Sequence, residues 1–254
     1  MSRLLSAYRA SHEQGFVPIF VNSGGDSKML VEACVDAGAK GIEYTLRRPD
    51  ADEMIPWIRE NYPDLFLLAG STIEDDDIVR HARKQHPHLL TLGELADMGV
   101  DGFVSAIGMS PETIKKYSPT HVVIPAAMTV SEALFMVKAG AHFIKVLGPD
   151  VSLVKMCRNA ASFDYCPIFV TGGMTSERLS EAIDAGAVLI GSGFDLTLEG
   201  LSADAGLDQV TERVAMYMNA VKVVRAKKWP DLERAAGADV QTWLESLPHY
   251  HPFG

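Results

Sequence analysis

The chain has 254 residues, 47% hydrophobic and 22% charged, a length for one barrel-sized domain and a composition for a full core. Its formal net charge of −10 argues against a general affinity for nucleic-acid phosphates or anionic membranes. The N-terminal MSRLLSAYRASHEQG is charged too early and too often for a secretory signal, and no apolar run reaches spanning length, so a cytoplasmic protein is expected.

In chain order, VPIFV at 17–21 reads as a first buried strand, followed by the helical pattern SKMLVEACVDAG. Four segments then share one grammar: DAGAKGIEYT, DMGVDGFVSA, KAGAHFIKVL and DAGAVLIGSG. In each, a helical pattern ends at a glycine (Gly38, Gly99, Gly140, Gly186) and an apolar strand follows. LFLLAG at 65–70, HVVIP at 121–125 and PIFVTGG at 167–173 complete eight strands. Nearly continuous apolar strands alternating with helices point to a parallel sheet covered on both faces, and eight such units to a closed α/β (β/α)₈ TIM barrel. The segment from about 74 to 91 is long enough for an extended helix and loop. After about residue 198, LDQVTERVAMYMNAVKVV reads as an amphipathic helix that closes the barrel. The barrel core is expected over about 14–222. A C-terminal helix and aromatic tail at about 223–254 would dock on its own barrel or on a neighbouring subunit, because Trp243, Tyr250 and Phe253 together are costly to expose.

Barrel chemistry sits at the C-terminal ends of strands. Lys145 interrupts FIKVL, a run otherwise suited to burial. Burying an ammonium is costly and favours the neutral amine, the form that attacks a carbonyl to make a Schiff base. The alternative is a structural ion pair with a carboxylate such as Glu43. Glu43, inside the apolar GIEYTL, is a candidate proton shuttle, again with an ion-pair role as the alternative. Arg47 offers a planar fork for a substrate carboxylate, whereas Arg48 is expected to face solvent or another subunit. The glycine-rich ends VTGGMTSE and IGSGFD together suggest an anion site built on Thr171, Gly172, Gly173, Gly191 and Ser192. Cys34, Cys157 and Cys166 lack ligand spacing and read as buried free thiols in a reducing compartment. His81, His86, His88, His249 and His251 are expected to be exposed, so no metal site and no cofactor is foreseen.

These residues resemble the 2-dehydro-3-deoxy-6-phosphogluconate (KDPG) and 4-hydroxy-2-oxoglutarate (KHG) aldolase family over about residues 14–198. GIEYTLRRPDA resembles its glutamate and Thr-Leu-Arg motif, and AGST its Ala-Gly-Thr turn with Ser71 in place of threonine. IPAAMTVSEALFMVKAGAHFIKVLGPD resembles the Schiff-base stretch, CPIFVTGGMTSE the phosphate loop, and IGSGF the loop after strand 8. The resemblance implies reversible cleavage of a 2-keto-3-deoxy (phospho)sugar acid or 4-hydroxy-2-oxoglutarate to pyruvate and an aldehyde, without a metal, in a homotrimer. It gives Lys145 the imine and Glu43 the proton transfers. Arg47 and Ser71 would hold the pyruvate carboxylate, and Thr171 to Gly173 with Ser192 a distal phosphate. The chain departs from the family at Lys145-Val146-Leu147-Gly148-Pro149, where Lys-Phe-Phe-Pro is usual, and in VNSGG, which lacks the basic residue some members place after strand 1. A phosphate-binding isomerase or epimerase without a covalent intermediate is the competing enzyme reading, and a non-catalytic binding barrel a third.

Overall fold

The computed structural model describes residues 1–21, 25–148, 150–159, 166–202 and 204–253. Among these residues it forms eight strands: β1 Phe16–Phe20, β2 Gly41–Thr45, β3 Phe66–Gly70, β4 Gly102–Val104, β5 Val122–Ile124, β6 Ile144–Leu147, β7 Ile168–Thr171 and β8 Leu189–Gly193. Helix α1 (Arg3–Gln14) precedes them. Between strands lie α2 (Ser27–Asp36), α3 (Ala51–Asn61), α4 (Asp76–Ala82), α5 (Leu92–Asp97), α6 (Pro111–Tyr117), α7 (Val130–Ala139), α8 (Ser152–Asn159) and α9 (Leu179–Ala185). The chain continues through α10 (Phe194–Thr197), α11 (Leu207–Lys228), α12 (Pro230–Arg234) and α13 (Val240–Glu245).

All strands pair in parallel, in the order β5-β4-β3-β2-β1-β8-β7-β6. The remaining seam, between β5 and β6, is closed by main-chain bonds beyond the strand limits. His142 N donates to Val123 O at 2.9 Å, Lys145 N to Pro125 O at 2.8 Å, and Ala127 N to Lys145 O at 3.0 Å. The result is the expected single (β/α)₈ barrel, and strand burial explains the apolar runs, since one face meets the interior and the other the helices. Helix ends follow local rules. α7 starts at a capping box made by Thr129 and Glu132 and ends at Gly140, whose φ of 109° is open to glycine. α11 buries Val210, Val214, Tyr217 and Val221 at helical spacing and packs against α9 and α2.

The segment after β3 differs from an extended helix. α4 has seven residues, and Pro87 bars helical continuation through the turn that follows. That turn is held down by Arg83 Nε bonding Leu89 O at 2.6 Å and by His88 Nε2, 3.1 Å from Leu46 O. α5 then starts on the Thr91–Glu94 capping box.

At the N-terminal end of the barrel, α1 and the C-terminal tail pack together. Tyr8 contacts Phe143, Trp243 and Phe253, with ring centroids at 5.1, 5.9 and 4.9 Å. His12 stacks on His249 at 5.0 Å. The tail thus docks on its own barrel, burying Trp243 completely while Tyr250 stays exposed. His249, expected at the surface, is buried, because the tail returns under α1 and seats its ring against His12. Arg3 adds a polar tie, with Nε 2.6 Å from Asp101 Oδ1 near the start of β4.

Burial holds the imidazoles of this end neutral. His249 is pushed down to about 4 and His142 to about 3, and His12 falls well below the usual range, in each case chiefly by desolvation. An unfolded histidine takes a proton below about pH 6.5, whereas these folded ones do not until far lower, so stability is lost as pH falls through that interval. Each such group removes about 1.4 kcal/mol per pH unit. Urea unfolding is expected to show a falling midpoint from pH 7 to 4.5, with a shallower fall in His249→Phe.

Candidate active site at the strand ends

The exits of β1, β2, β3, β6, β7 and β8 surround a cavity of about 560 Å³. Strand alternation decides which side chains reach it. Along β6, Lys145 and Leu147 face inward, and both line the cavity. Arg47 and Ser71 line it from beyond the adjacent strands β2 and β3, and Thr171, Gly172 and Gly173 from the exit of β7. Gly193, Asp195, Ile73, Ile107 and Leu196 complete much of the rest.

Lys145 is 5% exposed. Its Nζ lies 3.5 Å from Glu43 Oε1 and 5.9 Å from the centre of the Phe169 ring. Glu43 lies beneath it in the barrel, 1% exposed, and neither carboxylate oxygen has a hydrogen-bond partner among the described residues. Desolvation pushes the Glu43 carboxyl above its ordinary range, while the positive charges of Lys145 and Arg47 oppose the rise. A carboxyl so placed can give or take a proton beside an amine. The two groups form an ion pair, and of the two Lys145 lines the cavity.

Room for Glu43 is made by Gly70. A Cβ on Gly70 would run into Glu43 Oε1 and lie 2.8 Å from Thr45 Cγ2. The next residue, Ser71, has φ of 59°, the one non-glycine residue in the left-handed region among the described residues. Such backbone costs roughly 1 kcal/mol or more and concentrates at functional sites. Ser71 is kept there by neighbours on both sides: Leu46 N donates to Gly70 O at 2.9 Å and Thr72 N to Val104 O at 3.1 Å. At the β7 exit, Gly172 and Gly173 have φ of 85° and 67°. Gly148 N donates to Thr171 O at 2.8 Å, which packs this turn against the end of β6.

Gly191 and Ser192 do not line the cavity. Gly191 lies deeper, where a Cβ would meet Ile19 and Phe169. Ser192, one residue on, faces away from the barrel interior, and its hydroxyl donates to Met174 O at 2.9 Å. Ser192 thus acts on the β7 turn from behind. Arg48, expected at the surface, is buried. Its Nε lies 3.0 Å from Tyr44 Oη and 3.2 Å from Asp50 Oδ1, and its Nη2 lies 2.5 Å from Ser27 Oγ. These bonds tie the start of α2 to the exit of β2, next to Arg47. Residues 22–24, after β1, and 149, after β6, lie outside the described residues. Asp195 is the one charged side chain of the cavity lining that was not foreseen from the sequence. Its signal is its place in the first turn after β8, two residues past an inward glycine.

A buried lysine and carboxyl at a barrel mouth, beside an arginine, are groups that Schiff-base chemistry on a keto acid can use. The KDPG and KHG aldolase family model matches residues 11–214. The 2-dehydro-3-deoxy-6-phosphogalactonate aldolase of Escherichia coli (strain K12) is 30% identical over 200 residues, covering 76% of this chain and 88% of its own length. A native KDPGal structure aligns with TM-score 0.63 at 23% identity, over 82% of this chain and 95% of that one. A Legionella pneumophila KDPG aldolase, solved with pyruvate captured as a covalent carbinolamine, aligns with TM-score 0.62 at 19% identity, over 86% and 97%. The chain belongs to the KDPG and KHG aldolase family and is a class I pyruvate aldolase, an aldehyde-lyase. Membership selects this reading over the isomerase and binding-only alternatives.

Gly70→Ala tests the packing under the site. The added methyl is expected to displace Glu43, cost about 1–3 kcal/mol of stability and lower kcat/KM by roughly 10²-fold. Urea unfolding and steady-state kinetics on the same variant measure both.

Proposed function

We propose that Lys145 forms the imine and Glu43 moves the protons in reversible cleavage of a 2-keto-3-deoxy (phospho)sugar acid or 4-hydroxy-2-oxoglutarate. The observation that carries this assignment is the buried Lys145 Nζ, 3.5 Å from Glu43 Oε1 and open to the cavity. The neutral amine adds to the C2 carbonyl, and the carbinolamine loses water to give a protonated imine. Glu43, as carboxylate, takes the proton of the C4 hydroxyl. The C3–C4 bond then breaks, its electrons passing into the imine to give an enamine while C4 leaves as an aldehyde. Proton return to C3 and addition of water release pyruvate and the free lysine.

Arg47 and Ser71 hold the substrate carboxylate. Arg47 has no hydrogen-bond or ion-pair partner among the described residues, so its guanidinium is available to a bidentate acceptor. The turn from Thr171 to Gly173 receives the far end of the substrate, with Ser192 fixing the turn through Met174 O and Gly191 giving space to Ile19 and Phe169. The protein works as a homotrimer in the cytoplasm. Exposed Ile107, Met128 and Phe135 lie together around a groove near the β4 exit and α7, an apolar surface suited to a subunit contact. The three buried free thiols suit a reducing compartment. No helix among the described residues is long and apolar enough to cross a membrane.

Borohydride reduction in the presence of pyruvate is expected to add a reduced pyruvyl group at Lys145, located by peptide mass spectrometry. An active enzyme that gives no adduct, or an adduct on another lysine, overturns the assignment. Glu43→Gln should keep the adduct and lower kcat by roughly 10²–10⁴-fold. Native mass spectrometry is expected to show a trimer that Phe135→Asp shifts towards monomer.

A further inference from the structure

The charged residues lining the cavity are Arg47, Lys145 and Asp195. Resting on the aldolase assignment above, Arg47 and Lys145 serve the keto-acid end of the substrate. That leaves Asp195 as the charge facing the other end. Its position is specific: a Cβ on Gly193 would run into Asp195 Oδ1 and lie 2.9 Å from Val21 Cγ2, so the carboxylate fills space that the glycine of β8 opens. Asp195 also borders a second, mostly apolar cavity of about 370 Å³ formed with Met29, Phe194 and Leu198, and so stands where the two spaces meet. Among the described residues no hydrogen bond or ion pair engages this carboxylate, and none of the other cavity-lining side chains beyond β7 and β8 is cationic.

A phosphate monoester brings about −1.5 to −2 charge at pH 7. Set against this solvent-exposed, unneutralised carboxylate at the mouth of the same cavity, it is repelled at the short range of a bound substrate, with solvent screening part of the effect. A hydroxyl group does the opposite, since it donates a charge-assisted hydrogen bond to the same oxygens. The backbone turn at Gly172 and Gly173 can also donate to hydroxyl oxygens. We propose that Asp195 makes this a lyase for unphosphorylated 2-keto-3-deoxy acids, whose cleavage releases an uncharged hydroxyaldehyde. It discriminates against a terminal phosphate and against a terminal carboxylate.

Steady-state cleavage of 2-keto-3-deoxygluconate, its 6-phosphate and 4-hydroxy-2-oxoglutarate by the full-length protein tests this. The uncharged-ended acid is expected to have a kcat/KM at least tenfold above either anionic-ended one. Asp195→Asn and Asp195→Ser are each expected to narrow that ratio by tenfold or more, with the change on KM of the phosphorylated acid. A wild-type preference for the phosphate or for the dicarboxylate overturns the proposal, as does a ratio that both variants leave unchanged. Pyruvate trapping on wild-type Lys145 separates the two assignments. An adduct with the wrong preference removes the role of Asp195 alone, whereas absence of the adduct in active enzyme removes the imine chemistry on which it rests.

Discussion

Lys145 is bound into the barrel twice. Its main chain donates to Pro125 O and accepts from Ala127 N, bridging the one gap that the regular strand ladder leaves open. Its side chain meets Glu43 from the other side of the interior. Closure of the sheet and placement of the amine are therefore the same event. A slip of one residue in β6 would break the seam and turn the lysine outward together, because side chains alternate along a strand. Burial of the ion pair adds a second constraint. Two desolvated charges are tolerated only when held close, and Gly70 gives up its side chain to let them be.

Around that pair the molecule divides by end. The helix-side start of the barrel is filled by α1, Trp243, Phe253 and the neutral imidazoles of His12, His142 and His249. The opposite end has glycines, a left-handed Ser71 and an open cavity. Packing supplies stability at one end, and strain with exposed polar groups supplies reactivity at the other. Arg48 links the two purposes. Buried among Tyr44, Ser27 and Asp50, it is structural, yet it fixes the turn on which Arg47 is displayed.

The strands and the two central residues were legible in the sequence for simple reasons. Glycine after a helical pattern marks a helix end, and Lys145 and Glu43 are charged residues inside runs that otherwise bury. What escaped depends on direction or on distant partners. Ser192 follows Gly191 in the chain but faces the opposite side of the strand. His249 looks like a surface residue until the tail is folded back on α1. Helix α1 has a weakly apolar face whose ring partners Phe143, Trp243 and Phe253 lie more than a hundred residues away. Asp195 belongs to a short helix after β8, and only Gly193, by lacking a side chain, reveals where its carboxylate rests.

The separation of the two ends bears on how free energies combine. Among the described residues the floor formed by Tyr8, Trp243 and Phe253 has no ring or ion-pair partner in common with the Lys145–Glu43 pair. Changes at sites without common contacts are additive to within a few tenths of a kcal/mol. A more tightly packed floor would thus raise stability by an amount independent of what is altered at the mouth. The aldolase can accept destabilising changes around its cavity as long as the far end holds a surplus.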